Sequence, residues 1–281
     1  MLAVELFDCG WRRDAPDHRD FTVRQARVRR LLERLRAPNQ SRPVSVDWRE
    51  YCLPAQDQQD LGTSSAHACV GLFQYFERRA TGKIIAPSRL FLHANALRLS
   101  GCEGTRGGAS LRTTLKAALK FGLPPERFCP YDAAALERVP DPYLYAFNAK
   151  YRDVRYVRLD VATQSGAQNL ETVKSLLAGG FASVLGFGVP SSLTNGPEIP
   201  FPSRFDAIRT GQAVTAVGYD DDLRIRSSRG ALLVRSSWGP KWGDEGYGWL
   251  PYRYVTDHLA ADIWTLLRAR WLRSGDFRNP F

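Results

Sequence analysis

"DQQDLGTSSAHA", residues Asp57 to Ala68, is the stretch on which the reading of this chain turns. Its second half opens a helix predicted from about Ser64 to Ala80, because Ala66, Cys69, Val70, Phe73, Phe76 and Ala80 together build one wide apolar face. Such a face belongs in a core. Ser64 therefore stands at the amino end of a core helix. His67 follows Ser64 by nearly one turn, so its backbone is near but its side chain points along the helix flank, and a packing role is expected for it.

The chain around this stretch has 281 residues, 44% of them hydrophobic and 11% aromatic, enough for one sizeable domain or two closely packed lobes. No run of 18 or more apolar residues predicts a membrane span, and the opening "MLAVELFDCGWRRD" meets Asp8 and Arg12 before an apolar segment of signal-peptide length forms. Cys9, Cys52, Cys69, Cys102 and Cys129 are an odd number, widely spaced and without a CxxC pair. Neither a disulfide framework nor a metal site is expected, no cofactor is implied, and a reducing cytoplasmic setting fits best. The formal net charge of +10 favours an acidic partner. Much of it is local, since Arg24, Arg27, Arg29, Arg30, Arg34 and Arg36 crowd into one short segment.

That segment reads as an amphipathic arm. Thr22 and Gln25 form a capping-box pattern, and Val28, Leu31, Leu32 and Leu35 make an apolar stripe opposite the arginines before Pro38 ends the helix. A further helix is predicted from about Ser110 to Phe121, closed by Gly122, and a shorter one from a cap at Asn169 to Leu177, stopped by Gly179 and Gly180. Then come the β-rich runs "FASVLGFGV", "AVTAVGY", "GALLVRSSW" and "GYGWL", separated by turn-forming clusters. A helical first half against a β-rich second half predicts an α+β fold with a cleft between two lobes. The expected divisions are a lead-in over 1–44, a helical lobe over about 45–150, a β lobe over about 151–250 and a tail over 251–281.

Four further segments, taken in order, resemble the papain-like cysteine proteases, especially their bacterial members. "VDWRE" (Val46 to Glu50) is similar to the start of the mature domain, and "GWRRDAPDHRDF" (Gly10 to Phe21) to the lead-in of bacterial members. "TGQAVTAVGYDDD" resembles the histidine strand, and "VRSSWGPKWGDEGYGWLP" the asparagine segment with its aromatic cover. "DQQDLGTSSAHA" then corresponds to the segment that carries the oxyanion glutamine and the nucleophile. The resemblance implies a papain-like two-lobe fold, a helical lobe packed against an antiparallel, barrel-like β lobe.

Carried over residue by residue, the resemblance puts the oxyanion glutamine on Gln58, which is kept. It puts the nucleophilic cysteine on Ser64, the histidine on Gln212 and the orienting asparagine on Ser236, so all three catalytic positions are replaced. A serine hydroxyl is a poor nucleophile until a base takes its proton, and an amide cannot be that base near neutral pH. His93 falls in the helical lobe, and His18 and His258 in the lead-in and tail; no motif stands behind any of them. The expectation is a pseudoprotease that binds a protein or peptide partner as a scaffold or regulatory component. A serine-dependent hydrolase or acyl transferase with an unorthodox base, and a basic nucleic-acid or acidic-surface binder working through the arm, are the alternatives. Gly107 and Gly108 resemble cleft-wall glycines that admit a peptide backbone, or else form a loop into the next helix. Trp238, Trp242, Tyr247 and Trp249 read as packing aromatics, with Trp238 the one placed nearest the cleft.

Overall fold

The computed structural model describes residues 10–35, 42–105 and 107–273. Helices α1 (Ala26–Leu35), α2 (Ser64–Thr81), α3 (Arg89–Leu99) and α4 (Leu111–Phe121) occupy the first half, with the short strand β1 (Ser45–Asp47) between the first two. The second half holds β2 (Arg155–Arg158), α5 (Gly166–Ala178), β3 (Ser183–Pro190), β4 (Ile208–Ile225), β5 (Ser228–Arg235), β6 (Tyr247–Pro251), α6 (Arg253–Thr256), β7 (Ala260–Leu267) and α7 (Ala269–Arg273). All strand pairs are antiparallel and form one sheet in the order β2-β7-β3-β4-β5-β6, with β1 added alongside β4. This is the predicted α+β architecture.

Helix α2 is the axis of the molecule. About 27 Å long at 1.5 Å per residue, it packs against β4 on the sheet side and against α3 and α4 on the other. It is therefore buried nearly all round and not on one face alone. Its polar residues survive there because each has a partner. Ser65 Oγ donates to the carbonyls of Gly10 (3.0 Å) and Ala109 (2.7 Å), and Gln74 Nε2 donates to Ile85 O. Glu77 meets Arg268 at 3.2 Å, while the Arg79 guanidinium lies 4.1 Å over the Trp48 ring. Burying these groups unpaired would cost roughly 1–3 kcal/mol each.

Three local expectations are corrected. The shorter helix is capped by Ser165 in a full capping box with Gln168, not by Asn169, whose side chain instead accepts the Val161 N–H at 3.3 Å. The Thr22–Gln25 bonding exists, with Gln25 Oε1 accepting from the Thr22 N–H and hydroxyl, but Thr22 is also bridged to Arg158, so helical geometry starts only at Ala26. The segment read as a tail contains β7, which pairs with both β2 and β3 in the interior of the sheet. Helix α3 was not predicted at all: Leu90, Phe91, Leu92, Ala96 and Leu97 are buried around its whole circumference and leave no stripe to read. Its signal was the Ser88 cap, whose hydroxyl accepts the Phe91 N–H.

The arm packs as its stripe requires, with Val28 and Leu32 in the core and Leu31 half-buried against it. The expected stop at Pro38, the side chains of Arg34 and Leu35, Arg36 and Cys9 lie outside the described residues. Cys52, Cys69, Cys102 and Cys129 are free thiols. Among the described residues, no helix is long and apolar enough to cross a membrane.

Candidate functional site

Strand β4 brings Gln212 alongside the amino end of α2. The Ala213 N–H, next in the strand, donates to Ser64 Oγ at 3.1 Å, which ties the helical half to the sheet at the suspected centre. Ser64 is fully buried, and Gln58, Gln212 and Ser236 are nearly so. Residues far apart in sequence thus converge as the segment order implied.

The polar groups form a closed amide and hydroxyl set. Ser237 Oγ donates to Gln58 Oε1 at 2.6 Å, and Gln212 Nε2 donates to Ser237 Oγ at 2.9 Å and reaches Gln58 Oε1 at 3.5 Å. Ser236, expected in the orienting position, does not reach Gln212: its hydroxyl accepts the Trp238 N–H at 2.9 Å. The reason is direction, because Ser236 and Ser237 carry the same hydroxymethyl group but leave the chain on different sides. Ser237 takes over the contact. Gln58 Nε2 is buried with no partner among the described residues, so the retained donor is desolvated and unused.

Among the described residues, no basic side chain hydrogen-bonds the Ser64 hydroxyl, whose partner is the Ala213 N–H. Gln212 offers an amide. His67 is engaged at both nitrogens, Nδ1 with Thr63 (3.2 Å) and Nε2 with the Arg89 guanidinium at 3.4 Å. Burial, reinforced by the Arg89 charge, pushes its pKa down to about 3, so it holds a proton only in strong acid. His93 is wholly buried with both ring nitrogens unpartnered among the described residues, and burial lowers it to about 4. His18 and His258 are exposed and distant in the chain. Tyr131, which the sequence did not single out, braces the site by donating to Gln58 O at 2.8 Å and sharing a 2.6 Å bond with Thr63 Oγ1.

The groove above Ser64 is filled by the chain's own lead-in. Ser65 N–H and Oγ both donate to Gly10 O, Trp11 N–H donates to Gly211 O at 3.2 Å, and Arg12 N–H donates to Ala109 O at 3.3 Å. Residues 10–12 therefore run between the Ala109 wall and the β4 wall, directly over the serine. A β-carbon on Gly10 would collide with Ser64 Oγ and come within 3.1 Å of Ser64 N. The wall glycines serve this internal strand, since a β-carbon on Gly107 would strike the Arg12 guanidinium. Gly186 does the same for the Trp11 ring, which occupies the space its missing side chain leaves. Trp238 is half-buried, packed on Trp242 with centroids 4.6 Å apart at 72°.

A buried charge cluster clamps the lead-in down. Asp262 accepts Trp11 Nε1–H (3.2 Å) and Asp14 N–H (2.7 Å) on one oxygen and Arg158 Nη2–H (2.9 Å) on the other. Asp14 in turn accepts from Trp264 Nε1 and the Arg112 N–H, each at 3.2 Å. Arg112 pairs bidentately with Asp20, and Arg158 also bridges Asp20 and Asp160. Desolvation, with Asp14 close by, pushes the Asp262 carboxyl up to about 7. Among the described residues, no group of acidic, histidine and cysteine side chains could hold a metal ion.

Comparison with known proteins places this arrangement. The profile of the papain family cysteine proteases matches residues 42–258. The chain is similar to an uncharacterized peptidase C1-like protein, L477, of Acanthamoeba polyphaga mimivirus, with 30% identity over 75% of this chain and 68% of that protein. It is 28% identical to human cathepsin L2 over 73% of this chain, spanning 59% of that protein. Among solved structures it resembles xylellain, a cysteine protease from Xylella fastidiosa, with 27% identity and a TM-score of 0.76, covering 96% of this chain and 100% of that one.

Proposed function

The chain belongs to the papain family of cysteine proteases, and from that premise we propose that it is a catalytically inactive member, a pseudoprotease that acts by binding a protein partner as a scaffold or regulatory component. One observation carries the reading: Ser64 lies fully buried under Gly10, beside a strand that offers Gln212 where a base is needed. An unactivated hydroxyl without a base loses the general-base contribution and the proton donor for the leaving group together. In a serine protease, removal of either nucleophile or histidine costs on the order of a million-fold in turnover. Binding then falls to surfaces outside the groove, because the lead-in satisfies the hydrogen-bonding edges that an extended peptide would use. The free thiols at Cys52, Cys69, Cys102 and Cys129 support a reducing, cytoplasmic setting, and the likeness to xylellain supports a bacterial type of lead-in.

The test is labelling of the purified full chain with serine- and thiol-directed acylating probes, beside a fluorogenic peptide and ester panel. No turnover above a Ser64→Ala control is expected. Stoichiometric acylation at Ser64, lost in Ser64→Ala, would replace this reading with the serine-hydrolase one. Mass spectrometry of what co-purifies with the untagged protein from its native host then tests the scaffold role; a protein isolated without a stoichiometric partner would count against it.

A further inference from the structure

We propose that helix α1 and the groove at its foot form a binding surface for single-stranded nucleic acid. The groove encloses about 470 Å³ and is lined by Phe21, Leu119 and Tyr156, all half-buried, with Arg19, Arg112, Lys116 and Arg155 around them. Two of these cations are spent internally, Arg19 on Asp17 and Arg112 on Asp20. Lys116 and Arg155 are exposed and make no ion pair among the described residues. From Phe21 the chain reaches Arg24 within three residues, at most about 10 Å. Arg24, Arg27 and Arg30 are exposed and likewise unpaired, and Arg27 and Arg30 share one flank of α1. Lys116 and Arg155 thus border a pocket with two aromatic rings, and three more free cations, Arg24, Arg27 and Arg30, follow it along the chain.

This combination suits a strand whose bases are unstacked. A base can enter the groove against Phe21 or Tyr156 while successive phosphates meet Lys116, Arg155 and the helix arginines. The cations sit as exposed point contacts, so recognition is sequence-tolerant and electrostatic. A membrane surface fits less well. The apolar stripe of α1 is already buried in the core through Val28 and Leu32, and none of the large exposed apolar side chains lies on α1 or in the groove. Among the described residues, no large apolar side chain protrudes there to insert between lipids.

The experiment is fluorescence anisotropy of a labelled single-stranded oligonucleotide of about twelve nucleotides, titrated with the full chain at several salt concentrations. With five phosphate contacts, the log–log salt slope for a single strand is about −3.5, so affinity falls roughly a hundredfold between about 50 and 200 mM salt. Arg24→Gln/Arg27→Gln/Arg30→Gln should flatten the slope to about −1.4, a fall of roughly sevenfold over the same range. Lys116→Ala/Arg155→Ala should weaken binding through the groove, and all five positions are exposed enough to leave the melting temperature unchanged. Absence of binding at low salt, or a slope untouched by both variants, would overturn the proposal. So would equal retention on phosphatidylserine vesicles, or displacement by polyglutamate at equal charge, which would assign the surface to a membrane or an acidic protein.

Discussion

Trp11→Ala is the perturbation that bears most directly on the closed groove. Trp11 is 8% exposed, fills the space over Gly186 and donates its indole N–H to the fully buried Asp262. Removing a large buried aromatic costs roughly 3–5 kcal/mol through lost burial and the residual cavity. Losing one donor to a buried carboxylate adds about 1 kcal/mol, partly recovered because Asp14 N–H and Arg158 still hold Asp262. A net destabilisation of about 4 kcal/mol follows. At an unfolding entropy of about 2.1 cal/mol/K per residue, a chain of this length should melt about 7 °C lower. Differential scanning calorimetry at neutral pH reads this directly, and peptide hydrolysis should remain at background. A melting temperature within about 1 °C of wild type would refute the claim that the lead-in is part of the folded body, because cavity costs of this size cannot vanish in a close-packed interior.

Two further outcomes follow from the site. Asp262 keeps its proton to higher pH in the folded state than in the unfolded chain, so its contribution is fully present below about pH 4 and is lost as pH rises to about 7; urea denaturation across that window should show stability falling with pH, and Asp262→Asn should flatten the fall, whereas an unchanged slope would remove Asp262 from the clamp. Ser64→Cys alone should stay inactive toward peptides, for the thiol gains the helix dipole but no imidazolium partner; Ser64→Cys/Gln212→His/Ser236→Asn should recover only a small fraction of typical protease turnover because Gly10 still covers the nucleophile, and efficient hydrolysis by the single variant would reveal a base that the geometry does not contain.

What could be read from the amino-acid order alone was whatever lies in short runs. The head of α2, the strand bearing Gln212, and the "SSWG" turn each keep their neighbours within a few residues, so their periodicity and segment order carried the fold and the expectation that Ser64, Gln212 and Ser236 stand at the family's catalytic positions. The capped helix at Leu111–Phe121 was legible for the same reason, with Ser110 and Gly122 marking its ends. The tertiary structure alone decided which serine meets Gln212, since Ser236 and Ser237 differ only in the direction their side chains leave the chain. It alone decided that β7 lies inside the sheet and that residues 10–14 close the groove. Those contacts join Gly10 to Ser65 from one end of the helical half, and Trp11 to Gly211 and Asp14 to Asp262 across most of the chain. Local periodicity holds no information about such pairings, because they come from the packing of distant segments whose only common feature is the space they fill.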